Sequence, residues 1–90
     1  MSQMFVEKPT EETLKDLGVN TWPIWQKEVS EYDWSYDQKE TCYILEGKAE
    51  VKASDGQTIS FGVGDLVVFN PGLTCVWKIT EDIKKHYKFE

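Results

Sequence analysis

From Trp22 to the C-terminus the hydropathy pattern alternates with a period of two and is cut at short intervals by turn-forming residues. Only a β-strand sends successive side chains to opposite faces, so this pattern restricts the chain to a sheet-based fold. Segments at 24–30, 33–36, 39–45, 49–53, 58–61, 66–69, 74–79 and 83–89 read as strands. The separators are Asp37-Gln38, Glu46-Gly47, Ser54-Asp55-Gly56, Gly62 to Asp65 and Asn70-Pro71-Gly72. Asp55-Gly56 is a strong hairpin signal, because glycine tolerates the positive φ that tight turns demand. Seven or eight short strands at this spacing predict an all-β sandwich or jelly-roll barrel. One helix is expected before them, over residues 10–17: Thr10 can cap it, Glu11 and Glu12 suit its positive end, Leu14 and Leu17 share a face, and Gly18 stops it. Two turns cannot stand alone, so this helix is expected to lie against the barrel mouth or a sheet face.

Ninety residues hold one core, and the chain is read as a single domain, 1–90, with the barrel over about 22–89. A domain this short buries about 60% of the surface its unfolded chain exposes. Self-association would bury more, and the apolar run Trp22-Pro23-Ile24-Trp25 exceeds what one short strand usually hides, so a homodimer is expected. The net charge of −6 and the absence of a basic stripe argue against a nucleic-acid partner. The one basic cluster, Lys84, Lys85, His86 and Lys88, reads as the solvated face of a terminal strand. No apolar run approaches the ~20 residues of a membrane span, and Met1 to Lys8 has no apolar signal-peptide core. A cytoplasmic protein with reduced thiols is therefore expected.

The stretch Glu40-Thr-Cys-Tyr-Ile-Leu-Glu-Gly47 resembles the end of the first cupin motif, and Gly64-Asp65 followed by Pro71-Gly72 resembles the second. The runs Trp22-Pro23-Ile24-Trp25, Tyr32-Asp33-Trp34-Ser35-Tyr36, Gly72 to Trp77 and Lys85-His86-Tyr87 are similar to the small stand-alone cupins grouped with ureidoglycine-aminohydrolase-like domains. The resemblance implies a cupin jelly roll with a pocket inside the barrel, its glycines at hairpin corners and its dimers formed through sheets. It also exposes departures. Two histidines of the metal-binding motif align with Trp34 and Tyr36, and a third aligns with Cys75. Only Glu40 and Cys75 then remain as good ligands, too few for zinc or iron. No metal and no other cofactor is expected.

Alternation and the motif alignment together turn Trp34, Tyr36, Glu40, Cys42, Cys75 and Trp77 inward as the candidate ligand-binding residues. Glu40 is the most informative of them, since a buried carboxylate must be paired, hydrogen-bonded or protonated. Tyr36 or backbone amides could satisfy it structurally; otherwise it binds a ligand or acts as a general acid or base. Glu40 and Cys75 are the catalytic candidates. Trp34, Tyr36 and Trp77 are either core fillers or stacking surfaces for a planar or cationic ligand. Cys42 and Cys75 read as small buried side chains, as a nucleophile served by His86, or as a disulfide if their Cα atoms approach within about 7 Å. His86 itself reads as a packing or hydrogen-bonding residue. The functional expectation is a small-molecule-binding cupin. Its alternatives are an enzyme related to ureidoglycine aminohydrolase, metal-independent or with an atypical metal, and a non-catalytic structural or dimerisation module.

Overall fold

The computed structural model describes residues 3–90. Strands β1 (Met4–Glu7), β2 (Ile24–Lys27), β3 (Ser30–Ser35), β4 (Glu40–Ala53), β5 (Thr58–Gly62), β6 (Leu66–Phe69) and β7 (Thr74–Phe89) alternate with one helix, α1 (Glu11–Leu17), and a 3-10 turn at Val19–Thr21. All pairings are antiparallel. The strand order is β1-β6-β4-β7-β2, with β3 also pairing β7 and β5 also pairing β4. The two long strands form the spine. They pair with each other from Glu40↔Phe89 to Ala53↔Cys75, and each carries two short strands on its other edge.

The all-β expectation holds, but the strand boundaries differ: the break expected between 24–30 and 33–36 falls at Glu28-Val29, after Lys27 and before Ser30. Segments 39–45 and 49–53 are one strand, and so are 74–79 and 83–89. Gly47, expected at a hairpin corner, lies inside β4. Its position follows from burial: Glu40, Cys42 and Ile44 are buried on the even positions, Ala49, Val51 and Ala53 on the odd. A period-two strand changes phase only where an extra residue is inserted, and the register shifts three times between Ile44 and Ala49. Gly47 adopts φ +88° there, and a Cβ on it would sit 2.1 Å from the carbonyl oxygen of Asp82 on β7. Strand β1 was not expected at all. Four residues, MFVE, are too few to display a period, yet Met4 is buried opposite Phe69.

Helix α1 forms as read. The Thr10 side chain accepts from the Thr13 amide at 3.1 Å, and Gly18 closes the helix at φ 70°. It buries none of its residues, however; Leu17 is exposed and Val19, just beyond, is the anchor. The core is gathered around Trp77, Phe69, Ile44 and Val51, with Phe61 and Phe69 edge-on to each other.

The two glycines with similar φ provide a test of the bulge. Gly56→Ala meets open space at φ +96° and should lose about 1–3 kcal/mol from backbone strain alone. Gly47→Ala adds a backbone clash and should be clearly less stable than Gly56→Ala in urea denaturation. Equal midpoints would mean that β4 and β7 are not pressed together at this bulge.

Candidate functional site

Backbone geometry brings the aromatic residues to one end of the core. Tyr36 follows β3 and is locked in place because its amide donates to the Leu73 carbonyl at 2.8 Å while its carbonyl accepts from the Gly72 amide at 2.7 Å. Glu40 opens β4. On β7 the odd positions face inward on both sides of a bend: Cys75, Trp77 and Ile79, then Ile83 and Lys85. Lys85 is directly opposite Ile44 in register, and its long side chain reaches along the barrel to Glu40.

The result is a buried polar chain. The Trp77 indole N–H donates to the Tyr36 hydroxyl at 3.2 Å, which donates to Glu40 Oε1 at 2.7 Å. The other carboxylate oxygen, Oε2, accepts from Lys85 Nζ at 2.7 Å. Both charged side chains are almost wholly buried, at 6% and 4% exposure for Lys85 and Glu40. The ammonium also lies 4.6 Å from the Trp77 ring centroid and 4.9 Å from that of Trp25. Cation–π contacts of this desolvated kind are worth about 2 kcal/mol. Burial, reinforced by the Glu40 charge, pushes the hydroxyls of Tyr36 and Tyr32 above the usual phenol range. Tyr36 is therefore a fixed donor to the carboxylate.

Above this chain opens a cavity of about 230 Å³. Its floor is Glu40, Lys85, Tyr36 and Trp77, and its walls are Trp25 from β2, Tyr32 and Trp34 from β3, and Tyr87 and Phe89 from β7. Tyr32 lies parallel to Trp77 at 6.3 Å, Trp34 stands edge-on to both tyrosines at 6.4 Å, and Tyr36 stacks on Phe69 at 5.0 Å.

Of the six residues expected to line one pocket, four do so: Tyr36, Glu40 and Trp77 on the floor, and Trp34 at the mouth, 47% exposed. Cys42 and Cys75 do not. Both are free and buried outside the lining. Cys42 is sealed in the core, and the Cys75 thiol is directed at the Trp34 carbonyl, 3.6 Å away. Burial first, and then the Glu40 charge, raise the Cys75 thiol to about 11; burial raises Cys42 to about 12 despite the opposing pull of Lys85. A nucleophilic role has no support from this environment. His86 faces away from the cavity and ties β7 to the segment before β2, with Nδ1 2.9 Å from the Trp22 carbonyl.

The reading of Lys84, Lys85, His86 and Lys88 as a solvated face fails at Lys85 and His86, which are both buried. The missed signal was the continuation of the odd-numbered inward series of β7 through the bend. A charged residue in that series needs a buried partner of opposite charge, and Glu40 is that partner.

Comparison with known proteins accords with the architecture. The chain matches the EutQ-like cupin domain over residues 14–87. It belongs to the EutQ-like cupin family. A solved structure of a DUF861 family protein from Thermotoga maritima is 56% identical over 97% of this chain and 99% of that one, with a TM-score of 0.95. A DUF861 protein from Pseudomonas syringae pv. tomato (22% identity, TM-score 0.68, 74% of this chain and 29% of that one) and the EutQ protein of Clostridium difficile (18%, 0.67, 73% and 52%) share the fold. No curated protein matches the chain. No helix of the described residues is long and apolar enough to cross a membrane.

The residues at the motif's metal-ligand positions do not fit a transition metal. Among the described residues no three His, Cys, Asp or Glu side chains converge. Tyr36 is a donor, burial holds the Cys75 thiol above its usual range, and Trp34 offers an indole with no free lone pair in the plane of the ring, which leaves Glu40 as a single ligand. The Lys85 ammonium already supplies the positive charge beside the carboxylate.

Two outcomes follow from this geometry. Glu40→Leu leaves a buried ammonium unpaired and should destabilise by about 3–5 kcal/mol. Lys85→Met should be comparably damaging, whereas the double variant Glu40→Leu/Lys85→Met should recover most of the loss in a urea-denaturation double-mutant cycle; purely additive losses would refute the coupling. The thiols set a pH response of definite sign. Because Cys42 and Cys75 are held above the ordinary 9.0, the unfolded chain ionises first as pH rises. Their contribution is present in full below pH 9 and is lost progressively from about 9 to about 12. Correspondingly, iodoacetamide at pH 8 should leave both thiols unmodified in the native protein and alkylate both in urea, as read by mass spectrometry; native labelling of either would contradict the site as described.

Proposed function

We propose that this EutQ-like cupin binds a small organic molecule in its aromatic cavity without the metal usual to the superfamily. The observation that carries this reading is the open cavity of about 230 Å³ that reaches a buried Glu40–Lys85 pair. Ordinary core packing leaves few voids larger than a water molecule, and pockets walled by aromatics with a few convergent polar groups are characteristic of ligand sites. Exposure of Trp34 at the mouth supports access from solvent.

The likeness to ureidoglycine-aminohydrolase-like domains supports a second reading, an enzyme whose acid–base group is Glu40. Tyr36 and Lys85 donate to its two oxygens and fix its orientation. Cys75, the other catalytic candidate, is set aside by its placement outside the lining. A homodimer is part of the same proposal. Ile24 is exposed within the apolar run on which that expectation rests, and exposed Phe5 and Val63 add to the apolar surface.

The test is a fragment screen read by NMR on the four tryptophan indole N–H signals. Binding in the cavity should shift Trp25, Trp34 and Trp77 and leave Trp22, which lies outside the lining, unmoved. Trp34→Ala should fold normally and weaken a hit by about 0.5–1.5 kcal/mol, the worth of an aromatic pair. A diverse screen in which no fragment shifts the three cavity indoles would overturn the proposal.

A further inference from the structure

The hydrogen-bonding capacity left over at the floor of the cavity restricts what can bind there. Tyr36 has none to offer: its hydroxyl donates to Glu40 and accepts from Trp77. The Glu40 carboxylate has about four acceptor positions and uses two, for Tyr36 and Lys85. The Lys85 ammonium has three N–H groups. One goes to Glu40 at 2.7 Å, and the ammonium otherwise rests against the faces of Trp25 and Trp77. A ring face is a weaker acceptor than a carbonyl, and the ammonium can donate to a ligand while its charge stays beside both rings. The floor therefore offers an acceptor beside a donor, 2.7 Å apart, and the pair is neutral as a whole.

Charge narrows the choice further. A charged ligand would meet attraction from one member of the pair and repulsion from the other, 2.7 Å away, leaving little net attraction to offset its own loss of hydration. Shape supplies the last restriction. A water occupies about 30 Å³, so 230 Å³ holds a molecule the size of one substituted ring. Tyr32, Trp34, Tyr87 and Phe89 present flat walls on which such a ring can stack.

Resting on the reading of the cavity as a ligand site, we propose that its ligand is an uncharged planar molecule with an N–H donor adjacent to a carbonyl or ring-nitrogen acceptor. Primary aromatic amides, lactams and amino-substituted nitrogen heterocycles belong to this class. The N–H is given to Glu40, the acceptor takes an N–H from Lys85, and the ring lies between the aromatic walls. No bond is made or broken in this recognition.

Four probes of nearly equal size separate the requirements: benzamide, N,N-dimethylbenzamide, benzoate and benzamidine. Dissociation constants are measured by titration on the indole signals of Trp25, Trp34 and Trp77 in the wild-type protein, with Trp22 as the internal control. Benzamide is expected to bind at least tenfold more tightly than each of the other three. N,N-dimethylbenzamide binding as well as benzamide would overturn the role of the donor, and benzoate or benzamidine binding as well or better would overturn the requirement for neutrality. In both cases the cavity indoles would still shift, so the binding pocket would stand while its assigned ligand class fell. Absence of any shift with all four probes would count against the ligand class and, with an empty fragment screen, against the pocket itself.

Discussion

The buried ion pair between Glu40 and Lys85 is the constraint around which the rest of the barrel is arranged. Two charges removed from water lose hydration worth several kcal/mol each. They are tolerated because both groups are held by partners: one carboxylate oxygen by Tyr36, the other by Lys85, and the ammonium also by the faces of Trp25 and Trp77. Trp77 serves twice, as a π surface for the ammonium and as the donor that orients the Tyr36 hydroxyl. The aromatic richness of so short a chain follows from this arrangement. Tyrosine and tryptophan are the side chains that bury large area and still bring a polar group to the carboxylate.

This pair also explains how the fold can keep its pocket without a metal's ligand set. In the metal-binding motif a cation draws the glutamate and histidines together. In this EutQ-like cupin the cation beside Glu40 is covalently part of β7. Tryptophan and tyrosine at the former histidine positions then have a different task, to wall the cavity and to donate to the carboxylate. Trp34 and Tyr36 thus belong to one arrangement with Lys85, while Cys75 lies outside the lining.

Placing the two charges depends on the long strands. Lys85 reaches Glu40 because β4 and β7 are paired from Glu40↔Phe89 to Ile44↔Lys85, and Trp77 meets the pair from beyond the bend at Gly47 and Asp82. The phase change in β4 keeps Glu40, Cys42 and Ile44 inward before the bulge and Ala49, Val51 and Ala53 inward after it. β7 keeps a single phase, so Trp77 and Lys85 face the same interior from either side of its bend. A glycine at 47 is required by contact as well as by φ, since the strands meet backbone to backbone there.

By itself the sequence determined what local periodicity and local turn chemistry can carry. The period of two from Trp22 onward specified the all-β class, Thr10 and Gly18 delimited the helix, and the inward phase of Tyr36, Glu40 and Trp77 was readable from alternation and motif likeness together. Tertiary structure decided the rest. It decided that Gly47 is a bulge within one strand, because a glycine with positive φ looks the same in sequence whether the chain reverses or merely bends. It decided that Met4–Glu7 is a strand, because its only instruction is the edge of β6. It sealed Cys42 and Cys75 away from the cavity, although their alternation matches that of their pocket-lining neighbours. Above all it chose the partner of Glu40. Lys85 is 45 residues away, and although the odd-numbered inward series of β7 runs through it, nothing in its own segment names its partner. Only the antiparallel register of β4 with β7 brings it to the carboxylate, and an interaction fixed by pairing between distant segments has no signature in either segment alone.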